Sequence, residues 1–149
     1  NEINYQGSAT VTLVIDGNVY IFWQSENFTE QQILNGLADP NADTDGDGLS
    51  QLIEYALGTD PNIADHDVTL VEVQEFVEED ERLMMRFERP VGLEDITYII
   101  EFCSDLEAPW SPATLQMTPI SETTETVTGW DSLPAEQHQK RFVRLRVEQ

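Results

Sequence analysis

The sequence predicts a mainly β protein with a short α insertion, on three observations. From residue 68 onward, six short segments alternate apolar and polar residues between polar turns. Between residues 26 and 57 the apolar spacing changes to that of helices. At the head of the second helical stretch stands "DTDGDGLSQLIE", residues 43–54, where three aspartates alternate with small residues and a glutamate closes the run. The expected order is a β-hairpin over 1–25, a helix–loop–helix over 26–63 and a β-sandwich over 64–149.

"ATVTLVIDGNVYIFW", residues 9–23, reads as the hairpin. Val11, Leu13 and Ile15 alternate with Thr10, Thr12 and Val14, and Asp16-Gly17 offers the positive-φ residues of a tight turn. A lone hairpin is marginally stable, so this one is expected to join the C-terminal sheets or another chain. "NFTEQQILNGL" reads as a short helix. Thr29 and Gln32 form a capping box, Phe28 and Ile33 stand at staple positions, and Asn35-Gly36 ends it. In the second helix Leu49, Leu52, Ile53, Ala56 and Leu57 make one apolar stripe, closed by Gly58. The polar stretch "GTDPNIADHD", residues 58–67, marks the domain boundary.

Strands are expected at 68–77, 83–88, 95–103, 112–117, 123–130 and 141–148. Tyr98, Ile100 and Phe102 share one face of theirs, and Phe142, Arg144 and Arg146 alternate with Val143, Leu145 and Val147. Six short strands in about eighty residues fit an antiparallel sandwich of immunoglobulin or fibronectin type.

Charge is unevenly placed. The 149 residues carry a formal net charge of −22, and residues 1–81 hold eighteen Asp and Glu with no Lys or Arg. A phosphate backbone is repelled by such a surface, which excludes nucleic-acid binding. No apolar run is long enough to span a membrane. The chain opens at Asn1 without a basic or apolar leader, so it is expected to be a processed or excised piece with any targeting signal outside it. Cys103, alone in its type, excludes an internal disulfide and a cysteine zinc cluster, and its strand-like context makes it a buried spectator.

The acidic loop has the chemistry of a calcium site. Calcium takes six to eight oxygens at about 2.3–2.6 Å, and short side chains on a tightly wound loop deliver them. Asp43, Asp45 and Asp47 occupy loop positions 1, 3 and 5, and Gly48 occupies the sharp turn at 6. Leu49 offers its carbonyl at 7, Gln51 stands at 9 where a ligand often acts through water, and Glu54 closes the loop at 12. Four carboxylates crowded on twelve residues repel one another with no basic neighbour in sequence, which favours a cation over a merely solvated turn. The 26–63 unit is thus read as an EF-hand-like helix–calcium loop–helix. Asp39 and Asn41 before the loop, and Asp60, Asn62 and Asp65 after its helix, are either ordinary turn residues or the makings of a second site.

No G-x-S-x-G, H-E-x-x-H, Walker or dinucleotide pattern occurs, and His66 and His138 lie in polar segments, so the chain is read as non-enzymatic. Among the aromatic residues, Tyr98 and Trp110 are placed in the core. Trp130, at a strand end before a polar loop, is the candidate platform for a sugar ring or a protein partner.

"ADPNADTDGDGLSQLIEYALGTDPN" resembles the thrombospondin type 3-like calcium repeat of secreted bacterial proteins, with its D-x-D-x-D-G loop, its "LSxLxEYALG" helix and its "GTDP" exit. It is also similar to one half of a dockerin, although a dockerin has two loops and this chain has one complete one. "ITYIIEFCSDLEAPW" and "KRFVRLRV" look like the "YxVExSxDLxxW … RFxRLRV" β-domain that follows this repeat at the C-termini of large secreted proteins of marine Verrucomicrobia-like bacteria. Such tails are attached to sulfatases, polysaccharide lyases and adhesin-like proteins. The resemblance implies a secreted or cell-surface protein with Ca2+ held by Asp43, Asp45, Asp47, the Leu49 carbonyl and Glu54. It implies a non-catalytic, calcium-stabilised accessory module that binds polysaccharide for an attached enzyme. The alternative is a structural or interaction module that anchors, docks or self-assembles through a surface protein.

Overall fold

The structure, a computed structural model, describes residues 19–64, 82–107, 109–134 and 140–149. Within these it is mainly β, with three short helices followed by six strands in two antiparallel sheets. The helices are α1 (Val19–Asn27), α2 (Glu30–Leu34) and α3 (Gln51–Leu57). The strands are β1 (Met84–Pro90), β2 (Thr97–Cys103), β3 (Ser111–Pro112), β4 (Leu115–Pro119), β5 (Thr124–Trp130) and β6 (Phe142–Glu148). One sheet has the order β1-β5-β4, the other β3-β2-β6. No helix among the described residues is long and apolar enough to cross a membrane.

The first departure from expectation is α1. Residues 19–23 are helical, not the second strand of a hairpin, and residues 9–18 lie outside the described part. "VYIFW" is apolar at five successive positions, so its periodicity fits strand or helix, and packing decides. A helix puts Tyr20, Trp23 and Gln24 on one side, where a strand splits Tyr20 from Trp23. Tyr20 stacks on Trp23 at 5.4 Å and meets Tyr55 edge-on at 5.2 Å. The Tyr20 hydroxyl and the Gln24 amide both donate to the Ala38 carbonyl, at 3.1 and 2.6 Å.

α2 begins at the expected capping box, with Thr29 and Gln32 bonded reciprocally. α3 ends at Gly58, whose φ of +73° an L side chain rarely adopts. A Cβ there also falls 2.7 Å from Pro90 Cγ, so Gly58 is required by conformation and by space.

The strand expected at 112–117 is two strands. β3 pairs with β2 and β4 pairs with β5, so the chain crosses from one sheet to the other at residues 113–114. The Ala113 amide still donates to the Ile100 carbonyl at 2.8 Å, the last bond to the sheet being left. The expected strand at 68–77 lies outside the described residues.

Alternation then places one face of each sheet in a shared core. Met85, Phe87 and Val127 belong to the same buried cluster as Tyr98, Ile100 and Phe102, and Phe87 stacks on Tyr98 at 5.7 Å. Gly129 is small because it must be: a Cβ there stands 2.7 Å from Ile100 Cδ1. Tyr55, Ala56 and Leu57 of α3 enter the same cluster. Large apolar side chains stabilise by about 1.5–3 kcal/mol each when fully buried, so these contacts tie α3 to the sheets. Two hydrogen bonds fix the angle: Tyr98 donates to the Ala56 carbonyl at 2.6 Å, and Tyr55 donates to Asp95 at 2.9 Å.

Candidate metal centre

The acidic loop hangs between two anchors. At its base the Gln51 amide donates to the Ala42 carbonyl at 2.8 Å, and the Leu52 amide to Pro40 at 3.0 Å. Downstream it runs into α3 and hence into the core. Gly46 and Gly48 take φ of +81° and +96°, and a Cβ at either meets no atom within 4 Å. Their need is conformational rather than spatial.

Those turns aim amides at the aspartates. Asp43 accepts from the Gly46 and Gly48 amides at 2.8 and 3.0 Å, Asp45 from the Asp47 amide at 3.2 Å, and Asp47 from the Leu49 amide at 2.7 Å. Carboxylate oxygens of Asp43, Asp45 and Asp47 then all lie within 4.8 Å of one another. Two oxygens held by one calcium at about 2.3–2.6 Å stand at most about 5 Å apart, so the cluster has the size of that ion's shell.

Glu54 lies outside that tight group but within its field. It is completely buried on α3. Burial first, then the charges of Asp45 and Asp47 and, less strongly, Asp43, push its carboxyl up to about 7, against the opposing hydrogen bond from Thr59. Thr59 donates to its Oε1 at 3.4 Å, whereas Oε2 has no hydrogen-bond partner.

Among the described residues, the buried side-chain oxygens without a hydrogen-bond partner are Asp45 Oδ2, Gln51 Oε1 and Glu54 Oε2. They stand at loop positions 3, 9 and 12. Leaving a buried acceptor unmet costs about 1–3 kcal/mol, more for a charged group. These donors are all oxygens, the type that hard cations take and soft metals do not favour.

Asp39, Asn41, Asp60 and Asn62 are exposed. Asp60 accepts from the Asn62 amide at 3.0 Å, and the Asn62 side chain donates to the Asn27 carbonyl at 3.2 Å. Neither Asp39 nor Asp60 joins a carboxylate group of metal-site dimensions among the described residues; Asp65 lies outside them, as do His66 and His138. Cys103 is buried in β2. Trp110 is half-buried with the Arg144 guanidinium 4.1 Å above its ring. Trp130 is half-buried at the end of β5, opposite Met84, and lines two shallow grooves of about 360 and 270 Å³.

Sequence reasoning missed Thr44. It stands between two aspartates, donates to the Leu37 carbonyl at 2.8 Å and accepts from the Gln51 amide at 3.0 Å. Its spacing of seven residues from each partner carries no recognisable pattern; only the folded loop brings the three together. No protein family, curated protein or solved structure matches this chain.

Proposed function

We propose that residues 43–54 bind calcium, and that the ion stabilises a non-catalytic accessory module of a secreted or cell-surface bacterial protein. The observation that carries this reading is the set of partnerless buried oxygens on Asp45, Gln51 and Glu54 in the same loop as the Asp43–Asp45–Asp47 cluster. Asp43, Asp45, Asp47, the Leu49 carbonyl and Glu54 hold the ion, in the manner of a thrombospondin type 3-like repeat. Glu54 and the core residues Tyr55, Ala56 and Leu57 are neighbours on one helix, so closing the loop around an ion also holds α3 against the sheets. The two sheets are taken as a small immunoglobulin- or fibronectin-like sandwich, on the support of their shared core. The EF-hand likeness is confined to loop and exit helix, because turns over residues 35–42 separate α2 from the loop.

The test is a calcium titration of protein stripped with chelator, by calorimetry and thermal melting. The expected result is one strong site with magnesium a poor substitute, since magnesium gives up water reluctantly and prefers strict six-coordination. A melting temperature indifferent to calcium removes the proposal.

For the module's own binding partner, polysaccharide is the reading favoured by Trp130. Its indole borders a groove with Arg86, Gln116, Thr118 and Thr128, an aromatic surface beside hydrogen-bonding groups. Trp130→Ala is expected to weaken retardation in polysaccharide affinity gels by about 1 kcal/mol while the melting temperature holds. Unchanged retardation, or no retardation of the parent protein, turns the choice to an anchoring or docking module.

A further inference from the structure

We propose that the side-chain carbonyl of Gln51 is a direct ligand of the bound cation, and that Thr44 is the positioning residue that turns it there. The inference rests on the calcium reading above and adds to it a ligand and the device that orients it.

A glutamine side chain ends in an oxygen and a nitrogen of nearly equal size, and only its hydrogen-bond network decides which end faces where. Here the network decides. Thr44 has one hydroxyl proton, and it goes to the Leu37 carbonyl at 2.8 Å. Toward Gln51, therefore, Thr44 Oγ1 is an acceptor only. The Gln51 atom 3.0 Å away must be the donor Nε2, which turns Oε1 away from Thr44.

That oxygen is closed off from solvent and has no hydrogen-bond partner, on a residue with 0% exposure. A position-9 group that acts through water needs room for the water and a second partner to hold it. Gln51 Oε1 is sealed instead. The Gln51 backbone is pinned by the Ala42 carbonyl at 2.8 Å, so the side chain is fixed at both ends. A neutral carbonyl also completes the shell without adding a fifth negative charge to Asp43, Asp45, Asp47 and Glu54. The Leu37–Thr44–Gln51 relay thus joins the segment before the loop to loop positions 2 and 9, and holds a ligand ready before the ion arrives.

The test uses the full chain with terbium in place of calcium, counting coordinated water from luminescence lifetimes in light and heavy water, alongside calcium calorimetry. Gln51→Met, close in volume and without the oxygen, is expected to gain about one coordinated water and to bind calcium roughly tenfold more weakly. Thr44→Val is expected to shift both readouts the same way, and Thr44→Ser, which keeps the hydroxyl, to restore them. A purely structural role for Thr44 lowers the melting temperature without changing the water count. An unchanged count in Gln51→Met overturns the ligand assignment, and an unchanged count in Thr44→Val overturns the positioning role. If the unaltered protein binds neither terbium nor calcium, the calcium reading itself falls.

Discussion

Three carboxylates are fully or nearly buried among the described residues: Glu101 and Asp131 in the sheet region, and Glu54 on α3. All three face the same electrostatic difficulty, since an ionised carboxylate out of water is costly unless paired. In the sheet region the protein supplies the cation. Arg141 grips Asp131 with two bonds of 2.5 Å, and Arg144 and Arg146 reach Glu101 at 2.8 and 3.5 Å. At α3 it does not. Among the described residues no ion pair reaches Glu54, and the first basic residue of the chain is Arg82. On the calcium reading proposed above, the difference separates a lock that is always closed from one that an outside cation closes.

The largest effect that tests this contrast belongs to Asp131. Removing one partner of a buried ion pair costs about 3–5 kcal/mol, because the other charge is left stranded. Asp131→Ala is expected to lose that much in urea unfolding, equally with calcium and with chelator. A loss that depends on calcium would mean that the two regions are not separate locks.

Next in size is the calcium response. At free calcium a hundredfold above the dissociation constant, linkage stabilises the folded protein by about 2.7 kcal/mol. Glu54→Gln is expected to abolish most of that gain. In chelator the same substitution should leave stability unchanged or raised, since it removes a buried charge that the protein does not neutralise. Should Glu54→Gln be strongly destabilising in chelator, Glu54 has a cationic protein partner and the comparison with Asp131 collapses.

The pH profile sharpens the same point. Glu54 has a folded pKa raised from 4.5 to about 7, so the metal-free folded state holds its proton more tightly than the unfolded chain does. Its contribution to metal-free stability is therefore fully present below about 4.5 and is lost as pH rises through 7. With calcium the sense reverses, because protons compete with the ion for the same oxygens. The difference in melting temperature between calcium and chelator is expected to widen between pH 4.5 and 7, and Glu54→Gln to flatten it.

What the sequence disclosed follows from how local each cause is. The aspartate spacing, the Thr29–Gln32 box and Gly58 act over a few residues, so the Asp43–Asp45–Asp47 grouping, the start of α2 and the end of α3 can be read directly from the chain. Alternation likewise places β1, β2, β5 and β6. The identity of α1 is not local: "VYIFW" satisfies both periods, and the choice is made by Tyr55 and the Ala38 carbonyl, distant in sequence. The break between β3 and β4 is equally hidden, because it depends on which sheet edge the chain meets next. Thr44 is the clearest case in the loop itself, since its bonds need the Leu37 carbonyl and the Gln51 side chain, each seven residues away, to come within reach.

The smallest expected effect bounds the argument from the other side. Arg146 also pairs with Glu148, but this carboxylate is half exposed, its side chain 52% accessible. Water already solvates both groups, salt screens them, and holding two long side chains together costs entropy, so exposed pairs contribute about 0–1 kcal/mol. Glu148→Gln is therefore expected to change unfolding free energy by less than about 0.5 kcal/mol, with or without calcium. Arg146 keeps Glu101 as a partner, which leaves no stranded charge to inflate the loss. If Glu148→Gln instead costs as much as Asp131→Ala, then charge pairing alone governs stability here, burial loses its explanatory force, and the case for an outside cation at Glu54 weakens with it.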